Sequence, residues 1–256
     1  MMINQTMTPT DIEAILVNAW PAAVTQIIDG WHLRFADGVT GRANSAWPMQ
    51  AGNTARLTEK LIVAEQFYRN FNQPVQYRIC TIAHQLELDI HLAELGYVQI
   101  KPTAVQTVSL NSLLSRATLN PNYTCQLIED FSEAWFAAHC QLEGYTGHVL
   151  QARRGILQRI KPHAAYMSIF VDEQPIAVGM VVLERGWLGL FSLFTHADFR
   201  RQGVGQTLLH KMTEWGIEQG AQGVYLQVME NNQTALAFYQ RLGFETLYRY
   251  WYRVKP

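Results

Sequence analysis

The sequence predicts a mixed α/β layer fold built from two domains. Helical and strand periodicities alternate along the chain, and the second half has the order β-α-α-β-β-β-α-β-α-β. A length of 256 residues is enough for two domains with a core each. Residues 111–122 lose periodicity and contain Pro121, which predicts a linker between a domain at 1–110 and a domain at 123–256.

The first half is predicted to begin with a helix and a hairpin. Thr8 and Thr10 are the candidate caps of the helix, and Asp37-Gly38 is the predicted hairpin turn. Gly96 ends a later helix. The predicted elements are a helix at 9–19, strands at 24–36 and 39–47, a helix at 53–70, a strand at 75–80, a helix at 84–95 and a strand region ending near Leu110.

The second half alternates helices with a run of three strands. The connections at 172–174 and 185–186 are short enough for antiparallel hairpins. A helix that starts near Gly203 carries an apolar face. The predicted strands are 123–128, 165–171, 175–184, 187–195, 224–228 and 244–254, and the other helices are 132–142, 148–160 and 232–242.

Composition and charge argue against several classes of protein. The formal net charge is -1 and the basic residues are scattered, so nucleic acid is not expected as a partner. Cys80, Cys125 and Cys140 have no CxxC spacing, and no HExxH pattern occurs, so neither disulfides nor a metal are expected. The absence of a long apolar run or a leader pattern predicts a soluble protein of the cytoplasm, without membrane contact.

The most informative segment runs from a Leu- and Phe-rich strand into Arg200-Arg201-Gln202-Gly203-Val204-Gly205 and an amphipathic helix. The first N–H groups of a helix and its dipole attract anions, and glycines let a phosphate approach the backbone. Two arginines add positive charge beside them. The segment therefore predicts an anion-binding cradle, although a glycine pair that only shapes a turn remains the alternative.

Two other phosphate-binding motifs do not match this segment. A nucleotide hydrolase would need GxxxxGK[ST], and a dinucleotide-binding enzyme would need a third glycine near Leu208. Both are absent, which disfavours a nucleotide-binding enzyme.

The pattern R-x-x-G-x-G between a strand and a helix resembles the pyrophosphate-binding motif of the GNAT superfamily of acyl-CoA-dependent N-acyltransferases. A second segment, VYLQVMENNQTALAFYQRLGFE, resembles the other coenzyme-side motif of that family. The resemblance covers roughly residues 123–256. The resemblance implies the GNAT fold, with acetyl-CoA as cosubstrate and the pantetheine arm lying between two diverging strands.

The resemblance also implies which residues contact the coenzyme. The end of the preceding strand would pair with pantetheine, the loop and first helical turn would surround the pyrophosphate, and an asparagine would reach the pantetheine arm, with a helix N-cap as its alternative role. The implied contacts are Leu193, Phe194, Thr195, Arg200, Arg201, Gln202, Gly203, Val204, Gly205, Gln206 and Asn232.

Catalysis requires a hydrogen-bond donor that stabilises the oxyanion, an acid that protonates the departing thiolate and a base that accepts the proton of the amine. The resemblance assigns backbone N–H groups near Phe194 to the oxyanion and Tyr239 to the thiolate, with a core aromatic as the alternative for Tyr239. Some relatives carry a glutamate where this chain has Gln227, so the base is not identified. A water chain or one of three side chains could serve: Glu143, Glu184 or His148.

The first half resembles a degenerate copy of the same fold, because Leu95-Gly96-Tyr97 repeats the pattern of Leu242-Gly243-Phe244. Its counterpart of the glycine loop, WPMQAGNTARLTEKL, lacks R-x-x-G-x-G, and Leu92 aligns with Tyr239. We therefore expect two tandem GNAT-like domains of which only the second binds coenzyme. Arg42, Asn44, Ser45, Trp31 and Trp47 form a candidate acceptor surface, with a solvated strand face as the alternative.

Two functions follow as hypotheses. The first is an acetyl-CoA-dependent N-acetyltransferase acting on a primary amine of a small molecule or a protein. The second is an acyl-CoA-binding sensor or interaction module without turnover, which the missing glutamate suggests.

Overall fold

The computed structural model describes residues 7–256 and confirms a mixed α/β fold. Within that range the helices are α1 (Pro9–Ala19), α2 (Leu57–Arg69), α3 (Ala83–Glu94), α4 (Leu110–Arg116), α5 (Glu133–Glu143), α6 (Gly147–Gln158), α7 (Val204–Glu218) and α8 (Gln233–Arg241). The strands are β1 (Val24–Ile28), β2 (Trp31–Phe35), β3 (Ala46–Pro48), β4 (Gln76–Cys80), β5 (Val98–Ser109), β6 (Cys125–Ile128), β7 (His163–Val171), β8 (Gln174–Glu184), β9 (Trp187–Thr195), β10 (Gly223–Met229) and β11 (Glu245–Val254). No helix among the described residues is long and apolar enough to cross a membrane.

The chain divides into two compact units. The first contains the residues up to Ala104 together with Leu247–Pro256, and the second contains Val105–Thr246. The sequence instead predicts separate domains at 1–110 and 123–256. Most of the last strand, β11, which the sequence assigns to the second domain, belongs to the first unit. The assignment of the two portions as a degenerate and a catalytic domain stays a prediction.

The first unit orders its strands β1-β2-β3-β4-β11-β5. On one face, Tyr77 and Ile79 of β4 pack in a core with apolar residues of α2 and α3. On the other face, Arg78 of β4 makes a buried ion pair of 2.6 Å with Glu13 of α1. Alternation of side chains along β4 thus brings helices to both faces of this sheet.

The second unit orders its strands β5-β10-β9-β8-β7-β6. Neighbouring strands from β6 to β9 are antiparallel, whereas β9 and β10 are parallel and joined by α7. A Cβ atom on Gly179 of β8 would lie 2.3 Å from Met212 of α7, so α7 packs directly against this strand. On the opposite face, Trp135 of α5 contacts Tyr166 of β7.

The predicted hairpin turn at Asp37-Gly38 is wrong. The first hairpin turns instead at Asp29-Gly30, which joins β1 to β2, and both turn residues have positive φ angles (40° and 79°) as a tight two-residue turn requires. Asp37-Gly38 begins the irregular connection from β2 to β3. The chain contains the same Asp-Gly signal twice, and the first copy is the one that closes the hairpin.

The predicted linker is also more ordered than its sequence suggests. Residues 111–116 continue helix α4, which Ser109 caps through its hydroxyl. Residues 117–122 then run along the first turns of α7, where they make the hydrogen bonds described below.

Candidate active site

Two parallel strands in the second unit diverge at one end. Gly223–Leu226 of β10 pair with Trp187–Leu190 of β9. Beyond those pairs, β9 continues to Thr195 and β10 to Met229 with no further pairing between them in the described part of the chain. A crevice at the carboxyl ends of parallel strands is a common ligand position in α/β folds.

A β-bulge lies at this end of β9. Phe194 pairs with Val178 and Phe191 pairs with Met180, so the two residues Ser192 and Leu193 face one residue of β8. Ser192 has φ = 51°, an uncommon angle for a residue with a side chain. A bulge leaves a backbone group outside the ladder, and this one lies at the end of β9 that diverges from β10. The sequence does not signal this feature.

The loop after β9 leads into an uncapped helix start. Gly203 is the residue before α7, has φ = 85° and gives no side-chain cap to the helix. The N–H groups of Val204, Gly205 and Gln206 therefore retain their capacity to bind an anion. Arg200 and Arg201 are exposed beside this turn, and the Nε atom of Arg200 donates to Thr195 O at 3.1 Å.

Three of the predicted segments meet at Gly205. A Cβ atom on Gly205 would lie 3.6 Å from Cζ of Phe238 and 3.7 Å from Oγ1 of Thr195. The end of β9, the start of α7 and the side of α8 are therefore in contact range of one another. The structure thus brings together the two motifs that are separate in sequence.

Residues 117–122, the end of the predicted linker, form a strap that holds this loop. Asn120 donates through Nδ2 to Gln202 O (3.2 Å) and through its backbone N–H to the Thr207 hydroxyl (3.0 Å). Thr118 donates through its N–H to Oε1 of Gln206 (3.1 Å). The side chain of Gln206 is therefore used within the protein, which leaves its backbone N–H for a ligand.

Tyr239 lies on α8 in an aromatic group. Its ring centroid is 5.4 Å from that of Phe238 and 5.5 Å from that of Phe244. Burial raises the pKa of Tyr239 to about 12, so the phenol keeps its proton at neutral pH.

Asn232 is the N-cap of α8. Its Oδ1 accepts a hydrogen bond from Ala235 N at 3.1 Å, which is the capping role that the sequence left open. The Nδ2 group is still a potential donor to a ligand because capping uses only the oxygen.

Two of the three side-chain candidates for the base, Glu184 and Glu143, lie at different ends of the sheet in the second unit. Glu184 pairs with Trp187, eight residues before Thr195 on β9, and so lies roughly 25 Å along the strand from the diverging end. Glu143 ends α5, where Gln141 Nε2 donates to Gln174 Oε1 at 3.2 Å. Because Gln174 begins β8 at the end that pairs with Thr195, Glu143 lies at the same end of the sheet as the crevice.

Glu143 is half-buried, and burial alone would raise its pKa. The neighbouring His139, whose Nε2 is 3.8 Å from Oε1 of Glu143, and the charge of Arg153 outweigh burial and lower the pKa. Glu143 is therefore ionised at neutral pH. Gln227 of β10 carries a buried Oε1 without a hydrogen-bond partner in the described residues.

The prediction of an acceptor surface in the first unit is wrong, because four of the five side chains named for it are buried. Asn44 Oδ1 accepts hydrogen bonds from Ala36 N and Gly38 N (2.7 and 2.8 Å), which fixes the turn after β2. Ser45 donates to Gly41 O at 2.6 Å and accepts from Trp47 Nε1 at 2.8 Å. The buried members are Trp31, Asn44, Ser45 and Trp47.

Within residues 7–256, no cluster of three or more His, Cys, Asp or Glu side chains is arranged to hold a metal ion.

Comparison with known proteins identifies relatives along nearly the whole chain. A family model described as "Probable histone acetyltransferase Rv0428c C-terminal" matches residues 10–253. The "Uncharacterized N-acetyltransferase YobR" of Bacillus subtilis (strain 168) is 30% identical over 246 residues, which cover 95% of this chain and 97% of that protein.

Solved structures share the fold at low sequence identity. A GCN5-related N-acetyltransferase from Kribbella flavida has a TM-score of 0.75 at 17% identity and covers 98% of this chain and 97% of its own. A tandem GNAT protein from the clavulanic acid biosynthesis pathway has a TM-score of 0.72 at 13% identity, over 96% of this chain and 87% of its own. The predicted tandem GNAT fold is confirmed.

Proposed function

This chain belongs to the acetyltransferase family described as "Probable histone acetyltransferase Rv0428c C-terminal" and is a GNAT-type N-acetyltransferase; from that premise we propose that it transfers an acetyl group from acetyl-CoA to a primary amine. The observation that carries the proposal is the uncapped start of α7 at Gly203, next to the diverging ends of β9 and β10. A phosphorylated coenzyme with a linear pantetheine arm requires an anion site for its phosphates and an adjacent open crevice for the arm.

The residues present fit such a coenzyme. The N–H groups of Val204 to Gln206 and the charges of Arg200 and Arg201 bind the pyrophosphate, because both act on the same exposed turn. The unpaired peptide group at the Ser192 bulge and the backbone of Leu193 to Thr195 pair with the pantetheine arm. Asn232 supplies its free amide nitrogen to the same arm.

Bound acetyl-CoA supplies a thioester that an amine can attack directly. A backbone N–H near Phe194 donates to the carbonyl oxygen as negative charge develops there, which lowers the barrier. Tyr239 donates its hydroxyl proton toward the departing sulfur. Glu143 receives the amine proton, directly or through water, because it is an ionised carboxylate at the same end of the sheet.

The acceptor is a primary amine of a small molecule or of a protein, and the protein works in the cytoplasm. An ionised carboxylate such as Glu143 at the crevice end of the sheet favours an acceptor that arrives as an ammonium ion.

A second function has one observation in its favour. Gln227 replaces a potential catalytic carboxylate and leaves a buried oxygen without a partner, so the site could bind the coenzyme as a sensor without turnover. Release of free thiol from acetyl-CoA with a panel of amines separates the two functions. We expect amine-dependent thiol release, whereas tight coenzyme binding without release by any amine would favour the sensor.

A further inference from the structure

The first unit contains a second cleft, with a cavity of about 270 Å³, that the proposed reaction does not use. It lies where β3 and β4, a parallel pair joined at Ala46 and Tyr77, end next to the starts of α2 and α3. The order β3-α2-β4-α3 repeats that of β9-α7-β10-α8. The N-terminal cleft, as we call it, is lined among others by Trp31, Pro48, Leu57, Lys60, His84 and Glu87.

The anion position beside this cleft is filled by the protein itself. The carboxylate of Asp29 accepts a hydrogen bond from Asn53 N at 2.8 Å, just before α2, and lies 3.3 Å from Nζ of Lys60. A Cβ atom on Gly52 would lie 2.4 Å from Asp29 O, so the loop is packed closely against the β1–β2 turn. These contacts leave no room there for the phosphates of a coenzyme.

The positive charge in the N-terminal cleft is already balanced. Lys60 is buried, and its ammonium donates to Ala51 O at 3.0 Å in addition to its ion pair with Asp29. Asp29 is itself held ionised, because the hydrogen bond from Asn53 and the charge of Lys60 lower its pKa. Lys60 is therefore not free to bind an anionic ligand strongly.

Two of the other polar side chains in the lining, Glu87 and His84, offer hydrogen-bond acceptors. Glu87 is exposed, and its carboxylate makes no ion pair or hydrogen bond within residues 7–256. His84 places Nε2 3.1 Å from Pro48 O. A carbonyl oxygen can only accept, so Nε2 donates the hydrogen to it, and in that tautomer Nδ1 is an acceptor. A ligand that pairs with Glu87 and His84 must bring donors.

We propose that the N-terminal cleft binds a small primary amine with an apolar body. The ammonium group pairs with Glu87 and donates to Nδ1 of His84, while the apolar body packs against Leu57, Leu88 and Pro48. The cavity volume of 270 Å³ lies just below the range of about 300–1,000 Å³ typical of drug-sized ligands, so the amine is small.

Calorimetric titration of the full chain with 2-phenylethylamine, without coenzyme, tests this site. We expect the neutral analogue 2-phenylethanol to bind much more weakly. We expect Glu87→Gln to weaken amine binding by about ten- to a hundred-fold, because it removes one charged hydrogen bond. Glu94→Gln is the matched control, since Glu94 is exposed on the same helix and does not line the cleft.

Two outcomes would overturn the proposal. If the alcohol binds as tightly as the amine, the cleft does not select for positive charge. If Glu87→Gln and Glu94→Gln bind the amine equally well, the amine binds elsewhere, for example at the acceptor site of the second unit. Glu87 has no contact that folding depends on, so the melting temperature of Glu87→Gln should match that of the wild type.

Discussion

The Gly203→Glu variant is expected to lose measurable binding of acetyl-CoA. A glutamate there places negative charge at the turn whose N–H groups would hold the pyrophosphate, and it requires a left-handed φ of 85° that costs a residue with a side chain about 1–3 kcal/mol. The fold should survive, because the nearest atoms to a Cβ at this position belong to Asn120 at 3.5 and 3.6 Å, an ordinary contact. Calorimetric titration of both proteins with acetyl-CoA measures the loss.

Gly203→Ala is the control for backbone strain, since it adds the Cβ without the charge and should keep most of the affinity. Unchanged affinity in Gly203→Glu would remove this turn from the coenzyme site.

Asn120→Ala removes the hydrogen bond from the strap to Gln202 O and should weaken acetyl-CoA binding by less than Gly203→Glu does. Asn122→Ala is the control for this variant because it leaves that hydrogen bond intact.

The Tyr239→Phe variant is expected to turn over about a hundred- to ten-thousand-fold more slowly, because general acid catalysis typically accelerates a reaction by that factor. Phenylalanine retains the packing against Phe238 and Phe244 but cannot donate a proton. Affinity for acetyl-CoA and the melting temperature should therefore change little. Steady-state rates of thiol release with an accepted amine test this expectation.

Tyr166→Phe is the matched control for that variant. Burial raises the pKa of Tyr166 to about 12 as well, but this residue packs on Trp135 of α5. Removal of the Tyr166 hydroxyl should therefore leave the rate of turnover unchanged. A wild-type rate for Tyr239→Phe would show that the thiolate leaves unaided or with help from water, and a loss of stability alone would make Tyr239 a core aromatic.

The elements around the crevice could be predicted because their signals are local. Gly203 follows a strand and precedes an apolar helical face, and Gly243 stops a helix before a strand, so the periodicity of the sequence locates both. The hairpin turn could have been found too, because Asp29-Gly30 carries the same signal as Asp37-Gly38. Choosing between two equal signals requires knowledge of which residues pair across the strands.

Other features depend on contacts between distant parts of the chain. Asn120 reaches Gln202 across 82 positions, so no local pattern distinguishes it from a linker residue. The bulge at Ser192 follows from the register with β8, and serine has no special preference for a positive φ. The sequence predicts a polar surface at Asn44 and Ser45, but these side chains form hydrogen bonds with backbone and indole groups in a buried turn.

A crystal structure of the protein soaked in acetyl-CoA tests the central claim most directly. We expect one bound coenzyme per chain, with its pyrophosphate at the N–H groups of Val204 to Gln206 and its thioester near Phe194 and Tyr239. The first unit should be empty of coenzyme because Asp29 fills its anion position. Coenzyme density beside Gly52, or none at the start of α7, would contradict the account.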